Sequence, residues 1–141
     1  MRYAYPARLK AYSGEVVVTF RGLPEAIAGG ATREDALANA AGVLRAALAF
    51  RLKDGKPIPP PSGARRGEVL VPVSPLLAAK LALAIAVRDS GLSSVELADR
   101  LTTDEREVHR ILDPDHATRI ERIADAMQLL GRRLVLTDEA A

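Results

Sequence analysis

The sequence has no cysteine. That removes disulfides and thiolate metal sites, and it fits a reducing compartment. No signal peptide is expected either. "MRYAYPARLK" carries charges with no apolar run behind them. The longest apolar segment, residues 76–87, is interrupted by Lys80 and is too short to span a bilayer. A soluble, cytoplasmic protein with no membrane partner is expected. Neither G-x-x-x-x-G-K-[ST] nor G-x-G-x-x-G occurs, so no nucleotide loop is signalled. His109 and His116 have no cysteine and no third histidine to complete a metal set. No Ser-His-Asp arrangement has local support. The reading carries no metal and no other cofactor.

What is present suffices for a folded chain. The 141 residues are 48% hydrophobic and 27% charged, which favours a packed core over disorder. The net charge of +2 hides an uneven split. Residues 1–74 hold 11 Lys+Arg and 6 Asp+Glu, giving +5, whereas residues 75–141 hold 9 and 12, giving −3.

The first half reads as mixed α and β. In "RYAYPARLKAY", Tyr3, Tyr5, Ala7, Leu9 and Ala11 alternate with Arg2, Arg8 and Lys10. A period of two marks a half-buried strand, and Pro6 favours an edge position. Ser13-Gly14 signals a turn, and "EVVVTF" reads as the returning strand. "EAIA" gives a short third strand before the Gly29-Gly30 break. A helix follows over 33–53, with Leu37, Ala40, Ala41, Leu44, Leu48 and Leu52 along one face. "DGKPIPPPSGARRG" is an exposed connector, because its prolines fit neither helix nor sheet interior. "EVLVPV" is a fourth strand. The order is β-β-β-α-β.

Gly29-Gly30 could cradle a phosphate or simply open a helix. Glu34 and Asp35 follow at once in "GGATRED", and they already complement the helix dipole. A phosphate there would meet two carboxylates. Thr32 reads as the N-cap and Asp35 as the capping-box acid, with the glycines supplying a permissive backbone.

The second half reads as all helical. Ser74 and Pro75 open a helix that Gly91 closes. "SVELADRL" is a short helix with a Ser93/Glu96 capping box. Thr102-Thr103 is a break, and "DEREVHRIL" is a second short helix stopped near Pro114. "TRIERIADAMQLLG" is longer, with Ile120, Ile123, Ala124, Met127 and Leu130 as its stripe. In the tail, residues 134–136 look strand-like. Two short helices joined by a tight break suggest a helix-turn-helix. Leu97, Ala98, Leu101, Val108 and Ile111 would form its core. The candidate DNA contacts are Thr103, Glu105, Arg106, His109 and Arg110, with Arg119 and Arg122 from the next helix. Arginine reads guanine edges bidentately and, like histidine, holds phosphates. The acids Asp104, Glu105 and Glu107 work against phosphate affinity. A helical bundle with a merely solvated charged face is the plain alternative.

Several motifs now fall in order: Leu23-Pro24, Gly30, Thr32, Asp35-Ala36, Asn39-Ala40 and Ile58-Pro59-Pro60-Pro61-Ser62. Together they resemble the HicB antitoxin family over residues 3–62. Residues 83–130 are similar to the repressor-type helix-turn-helix tail of many members, although "TTDERE" is atypically acidic. The resemblance implies an α+β chain. A small, partial ribonuclease H-like domain (1–73) would precede an all-α helix-turn-helix domain (74–141). It also implies a HicA-like, mRNA-cleaving toxin as protein partner, operator double-stranded DNA as second partner, and no enzymatic activity. Tyr5, Phe20, Leu23, Pro24 and Glu25 are the expected toxin contacts. Each half is small for a single core, so a homodimer or higher homo-oligomer is expected. Ribonuclease H chemistry would need grouped carboxylates for paired metal ions. Glu15, Glu25, Glu34, Asp35, Asp54 and Glu68 are scattered over turns, caps and strand ends. Two rivals stand beside this reading: an orphan transcriptional regulator with a ligand-sensing first domain, and a nucleic-acid-cleaving relative.

Overall fold

A computed structural model describes all 141 residues. The chain is mixed α/β, with a four-stranded antiparallel sheet and five helices, and it divides into two compact units, Met1–Ser74 and Pro75–Ala141.

In the first unit β1 (Ala4–Tyr12), β2 (Glu15–Phe20), β3 (Leu23–Gly30), α1 (Arg33–Lys53) and β4 (Glu68–Pro72) follow in that order. The sheet order is β3-β2-β1-β4. At the β1–β2 turn Ser13 and Gly14 have φ of 38° and 80°. A type I′ hairpin needs two such positive values. The register sets Ala7 opposite Phe20, Leu9 opposite Val18 and Tyr5 opposite Val71. These residues share the face that α1 covers. Ala36, Ala40, Leu44 and Leu48 form the buried ridge of α1, each four residues on. Each leucine contributes about 1.5–3 kcal/mol by leaving water. Ala41, expected on this ridge, is exposed, and Ala36 takes its place. Alanine is common on every side of α1, so the apolar pattern did not single out one face.

Two expectations need correction. β1 is a central strand, not an edge. Pro6 is tolerated there because it lies past the end of the β1–β2 ladder, which stops at Ala7. Its carbonyl accepts from Arg21 N (3.3 Å) on that side, so the nitrogen also points where β2 has run out. The third strand is longer than "EAIA". It runs from Leu23 to Gly30 as an edge strand, where Pro24 is no obstacle.

In the second unit α2 (Pro75–Ser90), α3 (Ser94–Arg100), α4 (Glu105–Leu112) and α5 (Ile120–Leu129) surround a core of Leu81, Leu83, Leu97, Val108, Ile111, Ile123, Ala126 and Met127. α2 is buried nearly all round. Gly91, at φ 72°, ends it. The Ser93/Glu96 capping box forms in full, which holds the Glu96 carboxyl below its ordinary range. Thr102 takes a positive φ of 55° at the break between α3 and α4. Residues 132–141 belong to no helix or strand, so the strand-like stretch 134–136 has no pairing partner within the chain.

Candidate functional site

The sequence points to two sets of residues, one in each unit. In the first unit the structure separates them by depth. Tyr5, Phe20 and Leu23 are 1%, 4% and 0% exposed. They are core residues in this conformation, and their part in any contact is support from behind. The alternation of β1 already placed Tyr5 with Ala7 on the covered face. The Tyr5 hydroxyl donates to Pro59 O (2.9 Å), and burial raises its pKa well above the ordinary phenol value. This bond ties the proline-rich connector to the sheet, and Ile58 beside it is buried.

Pro24 and Glu25 are exposed. Glu25, however, is not free: Arg51 on α1 grips it with two bonds of 2.6 and 2.9 Å. That pairing lowers the Glu25 pKa. Arg51 also donates to Pro57 O (3.2 Å), so one guanidinium clamps β3 and the connector to α1. A second clamp was not foreseen. Arg21 holds Glu68 at 3.1 and 3.0 Å and also donates to Ser62 Oγ and Gly63 O. Glu68 further accepts from Arg65 N, and its pKa falls to about 2, chiefly through Arg21. Thus two of the six acids of this unit sit on arginines. No group of three or more His, Asp or Glu side chains in the chain is placed to share a metal ion.

The Gly29-Gly30 pair has a different role from the one expected. Neither glycine has a positive φ. A Cβ at Gly30 would lie 2.6 Å from Ala36 N, so the first turn of α1 rests directly on the strand backbone. Asn39 Nδ2 donates to Gly29 O (2.8 Å), and Thr32 accepts from Asp35 N (3.1 Å). Thr32 is the N-cap, but Asp35 contributes only its backbone donor. Close approach, not conformational freedom, is what the pair supplies.

On the sheet face turned away from α1 the register aligns Ile27, Thr19 and Arg8 across three strands. All three are exposed, and Ile27 reaches 58%. Sequence reasoning passed over this row because only the strand register brings its three members together.

In the second unit the proposed contact residues lie outward. Glu105, Arg106, His109, Arg110 and Arg119 are exposed, while Thr103 and Arg122 are half-buried. Arg106, His109 and Arg110 share one side of α4, and Val108 and Ile111 fill the other. The acidic run is partly structural. Asp104 is the N-cap and accepts from Glu107 N (2.9 Å), which occupies the helix N-terminus. Glu107 lies 3.4 Å from Arg110 and 3.8 Å from Arg122 and so draws on both cations.

Sequence reasoning missed Lys80. It is 0% exposed inside α2's apolar surroundings. Its ammonium donates to the carbonyls of Arg110 (3.4 Å), Asp113 (2.5 Å) and His116 (2.8 Å) and to Thr118 Oγ1 (2.8 Å). Burial lowers its pKa, with Asp113 opposing. The lysine satisfies the C-terminal end of α4 and the connector to α5 from beneath. The signal was there: a helix apolar on all sides leaves a cation in its middle no way out, unlike Arg88 at its end.

Comparison with known proteins decides the lineage. Residues 4–82 match the family described as "HicB_like antitoxin of bacterial toxin-antitoxin system". The chain belongs to this antitoxin family. It is 39% identical to Antitoxin HicB 2 of Photorhabdus laumondii over 132 residues, 94% of each chain. Antitoxin HicB of Pseudomonas fluorescens is 34% identical over 140 residues, 99% of this chain and 96% of that one. The Escherichia coli K12 Antitoxin HicB is 32% identical over 133 residues, 94% and 96% of the two chains. These likenesses support an antitoxin role. No helix is long and apolar enough to cross a membrane.

Proposed function

We propose that the protein neutralises a HicA-like, mRNA-cleaving toxin and represses its own operon by binding operator DNA. We read the first unit as a partial ribonuclease H-like domain that covers the toxin. The second is read as a repressor-type helix-turn-helix domain. The reading rests on family membership that runs through both units, since the antitoxin relatives align over 94% or more of this chain. The exposed groups of the first unit are the natural toxin contacts: Pro24, the Glu25–Arg51 pair and the Ile27–Thr19–Arg8 row. The α4 side bearing Arg106, His109 and Arg110 is the natural base-reading surface. Homo-oligomers would bring two such surfaces to a two-fold operator.

Co-purification with the product of the adjacent reading frame tests neutralisation. Gel shifts test the operator role. Arg106→Ala and Arg110→Ala are each expected to weaken operator binding about tenfold, the loss of one good base contact, with toxin binding retained. Unchanged operator affinity would remove these residues from the contact surface.

A further inference from the structure

We infer that residues 132–138 pair with the same segment of a second copy, as a two-stranded antiparallel ribbon centred on Val135. The segment reads "RRLVLTD". Gly131, at φ 73°, and the bond from Arg132 N to Met127 O (2.9 Å) turn the chain out of α5, so the segment starts from a fixed point. Beyond it no helix or strand forms, yet Val135 and Leu136 are 72% and 75% exposed. An exposed apolar stretch that forms no helix or strand of its own is a template for strand pairing.

Charge and symmetry together choose both occupant and register. Residues two apart share a face of a strand, so Arg132, Leu134, Leu136 and Asp138 lie together. Directly opposed residues of an antiparallel pair also share a face. In a ribbon related by a two-fold axis, the central residue must therefore oppose itself. Centring on Val135 sets Leu134 against the partner's Leu136 and Arg132 against the partner's Asp138. One face then carries four leucines bounded at both ends by opposite charges. Centring on Leu136 instead would bury Asp138 against the partner's Leu134. Centring on Leu134 would set Arg132 against the partner's Leu136. The segment complements itself in one register only, which points to a second copy rather than to an unrelated strand. A two-stranded ribbon is marginal by itself. Exposed Leu129 on α5 and Val95 on α3, in the same unit, supply further apolar surface for it to cover.

The chain's lack of cysteine makes the register directly readable. In the full chain, V135C is expected to form a disulfide-linked dimer under mild oxidation, at least tenfold faster than L136C. Equal rates for the two would overturn the register. A second arm uses charge. R132D alone and D138R alone set like charges together, and each should lower the dimer fraction in sedimentation. Mixing the two variants should restore dimers, because every opposed pair is again of opposite sign. If L134D/L136D leaves the oligomeric mass and the V135C cross-linking rate unchanged, the pairing is wrong. None of these readouts involves DNA, so they can fail while operator binding stands, and the reverse.

Discussion

The two units hold themselves together in opposite ways. The first is fastened from outside the sheet: Arg21, Arg51 and the Tyr5 hydroxyl each tie a strand or helix to the proline-rich connector. The second is fastened from within, by one buried ammonium under the end of α4. The residues that make the first unit recognisable are mostly these fastenings and the core they close. Leu23, Gly30, Thr32, Ala36, Asn39, Ala40 and Ile58 are buried, capping or close-approach positions. A family signature of this kind specifies a scaffold, and the contact surface has to be sought beside it.

Removing each fastening probes the contrast. The largest effect is expected for Lys80→Ala. It opens a cavity and strips donors from the Asp113 and His116 carbonyls, a loss of about 4 kcal/mol. Hydrogen exchange should show the second unit opening while first-unit strands stay protected; equal loss in both would contradict separate fastening. Gly30→Ala should cost the first unit about 1–3 kcal/mol, because the added Cβ meets the backbone of α1. Thermal unfolding checks it, and an unchanged midpoint would deny the close approach. A third test uses acid. Glu68 is depressed to about 2 from an ordinary 4.5, so its contribution is complete above pH 4.5 and fades as pH falls toward 2. Glu68→Gln should flatten that part of the first unit's stability curve; an unaltered slope would mean the clamp is not made in solution. The smallest effect has the opposite sign. Gly42→Ala, in the exposed middle of α1 with nothing within 4 Å of the new Cβ, should gain about 0.5–1 kcal/mol.

Much of this architecture could be read in the residues, and the failures have physical causes. The helix 33–53 and the α3 capping box were legible because caps and breakers are local signals. Sheet order was not. β4 arrives after a long connector and pairs with β1, and nothing in Pro6 itself tells a central strand beyond its ladder's end from an edge. Tyr5, Phe20 and Leu23 are contact candidates through the family resemblance, whereas their burial follows from strand alternation and from α1 covering that face. The exposure of Arg106, His109 and Arg110 follows from the helical period of α4. Glu107 reaches Arg110 within α4, but its second partner, Arg122, depends on α5 lying alongside, which no local pattern reveals.

Burial of Lys80 also alters the charge that the second unit presents at its surface. With that cation sealed inside, the solvent faces eight arginines against twelve carboxylates. The buried ammonium still counts at a distance, so the long-range field remains that of the net charge of −3. An approaching polyanion is slowed rather than steered, and gains attraction only within about 8 Å, where individual arginines outweigh the mean field. Under the proposed operator role, this suppresses idle occupancy of bulk nucleic acid more than it weakens the matched site. Selectivity then comes from a poor hold on everything else.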